Sequence, residues 1–84
     1  MNKHIALVKR YLAGDEVSIK ELEDNFNAAN VVAYAATDAA SAANAAASAA
    51  FLAAASQAEG SAKHKGRVDY WVKQYERFNK ELNK

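Results

Sequence analysis

The sequence contains no cysteine, no proline and only three glycines. Without cysteine, the chain can form neither a disulfide framework nor a thiolate metal site. The scarcity of proline and glycine argues against a disordered chain and against a fold made mainly of loops. Lysine and arginine together number 11, and aspartate and glutamate number 10. The resulting net charge of +1 lacks the excess of positive charge that is typical of a dedicated nucleic-acid-binding protein.

The sequence also lacks the motifs of common catalytic and nucleotide-binding sites, namely G-x-S-x-G, the P-loop, G-x-G-x-x-G and H-E-x-x-H. Its two histidines, His4 and His64, have no cysteine to join them in a zinc site. Three neighbouring acidic residues, Glu21, Glu23 and Asp24, lie in the first turns of a predicted helix, where carboxylates stabilise the positive end of the helix dipole. We therefore expect no enzymatic activity, no cofactor and no bound metal.

Alanine is abundant instead, with 21 of the 84 residues, and it is the strongest helix former. The first predicted helix spans residues 3–13, in which Ile5, Val8 and Leu12 recur on one helical face. Gly14 follows at the position where a glycine commonly ends a helix. Length and composition together predict a single all-α domain over the 84 residues.

The second predicted helix has a clear start signal at Ser18. The pattern Ser18-x-x-Glu21 matches a capping box, in which the serine side chain accepts from a backbone N–H and the glutamate reaches back to the serine N–H. Val17 and Leu22 occupy the positions of a hydrophobic staple. Neither proline nor glycine interrupts the chain between this start and the next glycine, so the sequence predicts one long helix over residues 18–59. The alternative of a break near Asp38 stays open.

The length of this predicted helix has a consequence for assembly. At 1.5 Å per residue it is about 61 Å long, and a rod of that length cannot bury itself in a small monomer. Between Asn25 and Ala58 its only charge is Asp38, so most of its surface is predicted to be an interface. Because a face of methyl groups allows another helix to approach closely, we expect a homo-oligomer that assembles through the alanine face.

A basic linker over residues 60–66 precedes a third predicted helix over residues 67–83. Apolar residues recur in this helix at helical spacing: Val68, Trp71, Tyr75, Phe78 and Leu82. The first and third helices are short enough to fold back antiparallel on the long one, with their large side chains against its alanines. The predicted fold class is therefore all-α, a helical hairpin or bundle built on one long alanine-rich helix.

Residues 39–58 form a run of 20 positions without charge, which is the length of a membrane span. Alanine is only marginally apolar, however, and the run also contains asparagine, glutamine and several serines. We therefore expect no membrane association and a cytoplasmic protein.

The predicted long helix also carries a stripe of polar residues: Asn30, Thr37, Ser41, Asn44 and Ser48. Two interpretations of this stripe are open. It is either a solvated edge that keeps the helix soluble and in register, or a polar seam inside the oligomer. Such a seam is hydrogen-bonded across chains or lines a ligand pocket.

A cluster of basic residues lies at the amino end of the third predicted helix. Positive side chains there oppose the helix dipole, and a bound anion relieves that cost. Tyr70 lies off the apolar stripe and offers a planar face to a nucleobase. The predicted ligand-binding residues are Lys63, His64, Lys65, Arg67 and Tyr70 around this cluster, Asn44 on the polar stripe, and Lys9 and Arg10 as a smaller basic site in the first helix. The alternative is ordinary solvation of a basic loop.

The segment G-D-E-V-S-I-K-E-L-E, with the alanine-rich tract and aromatic, basic tail that follow it, resembles small alanine-rich proteins of tailed bacteriophages, best over residues 11–59. Several compact helical proteins of that group are counter-defence factors, and some are sponges that bind cyclic or modified nucleotide signals without cleaving them. The resemblance implies a class of function and no individual site residue. Residues 35–58 also resemble alanine-rich antifreeze proteins, but those have regularly spaced threonines, and Thr37 is the only threonine here.

The predicted function is non-enzymatic sequestration of a phosphate-bearing, cyclic or modified nucleotide signal at oligomer interfaces, in the cytoplasm of an infected bacterium. Basic side chains of the linker hold the phosphate, Tyr70 stacks on the base, and Asn44 contributes selectivity. One alternative is a helical protein that binds and blocks a host protein through its aromatic third helix. Another is a structural oligomer without a small-molecule ligand.

Overall fold

The computed structural model describes residues 2–36, 40–60 and 65–82. Over these residues the chain forms four helices and no strand, which confirms the predicted all-α class. The helices are α1 (Lys3–Leu12), α2 (Ile19–Ala35), α3 (Ala40–Glu59) and α4 (Lys65–Leu82).

Local signals in the sequence fix both ends of α1. The side chain of Asn2 accepts hydrogen bonds from the backbone N–H groups of His4 and Ile5, at 2.8 and 3.3 Å. At the other end Gly14 has a φ of 94°, a conformation that glycine adopts without strain. The N–H groups of Gly14 and Asp15 donate to the carbonyls of the last helical turn, so the predicted glycine cap is confirmed.

The predicted start of α2 at Ser18 is confirmed, but the Glu21 carboxylate contacts the Ser18 hydroxyl instead of the Ser18 backbone N–H. The backbone N–H of Glu21 donates to the Ser18 side chain at 3.1 Å, and the Ser18 hydroxyl donates to the Glu21 carboxylate at 3.3 Å. The two apolar residues of the predicted staple, Val17 and Leu22, are both buried. The loop between α1 and α2 is therefore held to the core at the point where α2 begins.

The prediction of one continuous helix over residues 18–59 is wrong. Helix α2 ends at Ala35, where the next residue, Ala36, takes an extended conformation, and α3 begins at Ala40 and packs beside α2. The longest dimension of the chain is 36 Å, well below the length expected of the rod. High helix propensity favours continuation, but burial of apolar side chains between α2 and α3 outweighs it. Residues 37–39, including Thr37 and Asp38, lie outside the described residues.

Helix α3 lies at the centre of the bundle. Helices α2 and α4 both pack along it without contacting each other, and α1 contacts all three of the other described helices. The buried residues of α3 are almost all alanines, which allow the neighbouring helices to approach closely. The alanine face is thus covered within one chain. The argument that its burial requires further copies no longer holds, and the homo-oligomer stays a prediction.

Helix α4 begins at Lys65, two residues before the predicted start of the helix over 67–83. Val68, Val72 and Tyr75 are buried against the rest of the bundle, and Trp71 and Phe78 pack on this core while half-buried. Of the predicted basic linker over 60–66, Gly60 ends α3 with a φ of 65°. Residues 61–64 lie outside the described part of the chain.

No helix among the described residues combines the length and the apolar character needed to cross a membrane.

Candidate functional site

The structure places Lys65 in the first turn of α4, against α1. Its ammonium nitrogen lies 5.2 Å from the centre of the Tyr11 ring, within the range of a cation–π interaction. Lys65 also lines a groove of about 530 Å³, which it shares with three acidic residues, Asp15, Glu16 and Glu21. Among the described residues that line this groove carboxylates outnumber ammonium groups, so this part of the lining disfavours a phosphate.

The second predicted basic site, Lys9 and Arg10, does not form a single anion-binding surface. Lys9 makes an ion pair with Glu76 of α4 at 3.1 Å, and Arg10 makes one with Asp15 at 3.4 Å. Neighbouring residues on a helix point in directions about 100° apart, so each of these side chains reaches a different carboxylate. An anion bound here has to displace both carboxylates.

Arg67 and Tyr70 remain together at the start of α4. Both side chains are exposed, Tyr70 to 54 %. The Tyr70 ring meets the Trp71 ring edge to face at 5.3 Å, which holds its orientation while leaving part of its surface accessible. The remaining two residues of the predicted cluster, Lys63 and His64, lie outside the described residues.

Asn44 is not near this cluster. It is the fifth residue of α3, whereas α4 begins beyond the other end of α3, about 22 Å away along the helix axis. The predicted polar stripe is also divided, because Asn30 lies on α2 while Ser41 and Asn44 lie exposed on α3. Within one chain Asn44 is therefore too far from the basic linker to share a ligand with it, and its contribution to a site between chains stays a prediction.

The sequence analysis did not identify the polar contacts inside the bundle. The hydroxyl of Tyr11 lies 2.6 Å from that of Ser56, which links α1 to α3. Between α1 and α2, the amide group of Asn25 donates to the backbone carbonyl of His4, and its oxygen faces His4 Nδ1 at 2.8 Å. Since an amide oxygen only accepts, His4 Nδ1 carries the proton. The available signal was the spacing of His4, Val8 and Tyr11, which places all three on one helical face.

The exposed side of α2 is a further feature that the sequence analysis did not identify. Large apolar side chains there lie open to solvent, with Val31 68 %, Val32 47 % and Tyr34 86 % exposed. Two alanines on the same side, Ala28 and Ala35, are exposed as well. Ala28, Val31, Tyr34 and Ala35 share one side of the helix and are called the α2 apolar face below, whereas Val32 lies on the opposite flank. Apolar patches of a few hundred Å² are the largest that monomeric proteins commonly expose, and they are often functional.

Metal binding finds no support in the part of the chain that is described. No group of three or more His, Asp or Glu side chains there is placed to hold a metal ion. The three acidic residues of the groove beside Lys65 do not form such a group either.

Comparison with known proteins gives no match to a family model, a curated protein or a solved structure. The resemblance to phage proteins depends on sequence features alone and stays a prediction.

Proposed function

We propose that this chain is a non-enzymatic protein-interaction module, a helical bundle that binds another protein chain through the α2 apolar face. The observation that carries the proposal is the exposure of Val31 and Tyr34 on a well-packed scaffold. Tyrosine is enriched at interface hot spots because it supplies a large contact area together with a polar group. Leaving such side chains in water is unfavourable by about 25 cal/mol per Å², and a partner removes that penalty.

The proposed surface differs from the aromatic helix that the sequence favoured for protein binding. In α4 the apolar side chains of Val68, Val72 and Tyr75 are buried in the bundle. They cannot also contact a partner unless the bundle opens. Val31 and Tyr34 of α2, in contrast, point away from α3, because Leu22 and Ala29 occupy the buried side of α2.

Photo-crosslinking at one residue tests the proposal. A photoreactive phenylalanine analogue replaces Tyr34 in one variant and Tyr70 in a matched control, because both are exposed tyrosines on helices. We expect discrete crosslinked adducts from position 34 and far fewer from position 70, in cells or in concentrated purified protein. Absence of any discrete adduct at position 34 in both settings contradicts the proposal.

Sequestration of a phosphate-bearing nucleotide is a second candidate function. The exposed pair Arg67 and Tyr70 favours it, because a guanidinium binds phosphate and a phenol ring stacks on a base. Because the acidic groove beside Lys65 disfavours a phosphate, we expect such a nucleotide site on the outer side of α4. A ligand at 100 times its dissociation constant adds about 2.7 kcal/mol to the stability of the protein. Thermal-shift measurements with cyclic di- and trinucleotides test this, and Arg67→Ala should abolish any shift; no shift with any of them contradicts it.

A further inference from the structure

We infer that the partner of the α2 apolar face is a second copy of this chain, bound antiparallel about a two-fold axis at Val31. The inference rests on the proposed function, since it names the occupant of the same surface. Because the alanine face of α3 is buried within the chain, we expect self-association through the outer side of α2 instead.

The α2 apolar face carries no charged side chain that would repel a second copy. The last charged residue of α2 is Asp24, which pairs with Lys20 at 3.1 Å in the first half of the helix. No charged side chain follows in the second half, from Asn25 to Ala35. The second halves of two α2 helices can therefore contact each other without bringing like charges together. The net charge of +1 adds little long-range repulsion between copies.

The large and small residues of the α2 apolar face are spaced so that two copies fit together. Residues 24, 27, 28, 31, 34 and 35 lie on the exposed side of α2. When two antiparallel copies cross at Val31, Tyr34 of one copy lies over Ala28 of the second copy, and the reverse contact forms by symmetry. Each large ring therefore meets a small residue. A two-fold interface must be complementary to itself, and this spacing of large and small residues meets that requirement.

The area of the α2 apolar face is that of a small contact. The exposed parts of Val31 and Tyr34 present on the order of 300 Å² in each copy, given that a buried aromatic residue alone contributes about 150–250 Å². A standard interface buries about 800 Å² per partner. The flanking alanines and Asn27 add to the contact, so the area fits a small interface. We therefore expect a weak, reversible dimer rather than a permanent one.

A charge-exchange experiment tests the inference. The variants Val31→Lys and Val31→Glu each place two like charges on the proposed axis, so each should be monomeric by sedimentation equilibrium up to about 1 mM. The wild-type protein and the control Tyr70→Lys should dimerise. An equimolar mixture of the two Val31 variants should recover a dimer, because the opposite charges then face each other. Circular dichroism establishes that each variant keeps its helix content.

Three outcomes overturn the inference: a wild-type protein that stays monomeric up to about 1 mM, a dimer that persists in both Val31 variants, or a mixture that recovers no dimer. The proposed function fails separately, when position 34 gives no crosslink to any protein. A monomeric wild type whose position 34 crosslinks to a different protein removes the second copy as partner and leaves the interaction module intact.

Discussion

Replacing Ala49 by leucine tests whether the interior is closed around α3. The Ala49 side chain is 0 % exposed and belongs to the helix that contacts α1, α2 and α4. Three added carbon atoms therefore have no free space, and overpacking of this kind costs about 1–3 kcal/mol. For a domain of this size, 1 kcal/mol corresponds to about 4–8 °C in melting temperature. We expect Ala49→Leu to lower the Tm by about 4–24 °C.

The matched control is Ala58→Leu, an exposed position on the same helix. Both substitutions change helix propensity equally, so the difference between them isolates packing. Thermal unfolding followed by circular dichroism gives both melting temperatures. Equal melting temperatures for the two variants would refute the closed interior, because a leucine on an open helix face finds room.

Three smaller predictions concern individual contacts, each measured by thermal or urea unfolding. Tyr11→Phe removes the buried hydrogen bond to Ser56 and should cost about 1 kcal/mol; no loss would contradict the contact. Gly14→Ala should cost about 1–2 kcal/mol, because a φ of 94° is unfavourable for alanine, and a more stable variant would contradict that conformation. A hydrogen bond to Asp69 raises the pKa of Lys73 above 10.5, so this pair stabilises the fold below that pH and loses its effect as the pH rises further. Lys73→Gln should reduce the loss of Tm as the pH rises above 10.5, and an unchanged profile would contradict the pairing.

The end of α1 and the start of α2 could be predicted because their signals are local. Ser18 and Gly14 act through hydrogen bonds and backbone conformation within a few residues, so the sequence pattern carries the whole cause. The face formed by Ile5 and Val8 was predictable for the same reason, since helical periodicity alone brings these side chains together.

The break between α2 and α3 has no comparable local signal. Ala36 favours a helix by intrinsic propensity, and the chain bends because burial of Leu22 and Ala29 stabilises the folded-back arrangement. Tertiary packing of this kind is not encoded in any short window. The prediction of a continuous helix also made the predicted polar stripe wrong. A continuous helix places Asn30 and Asn44 on one stripe, whereas the fold places them on two different helices.

The basic site illustrates a different limit. Lys9 and Arg10 are adjacent in sequence, and adjacency suggested a shared anion site. Their directions on α1 separate them, and their carboxylate partners, Glu76 and Asp15, become neighbours only in the folded chain. Sequence also does not distinguish the apolar residues of α2 that are buried from Val31 and Tyr34, which stay exposed.

The distance between the two ends of the α2–α3 pair tests the account most directly, because the α2 apolar face exists only if the chain folds back on itself. In the structure the Gln57 side chain donates to the carbonyl of Val17 at 3.2 Å. The absence of cysteine allows spin labels to be placed at Lys20 and Ala58 alone, diluted with unlabelled protein. The fold predicts a distance below about 25 Å, from an interaxial spacing of about 8–10 Å plus the labels. A distance near 57 Å, the length of a continuous helix between these residues, would contradict it.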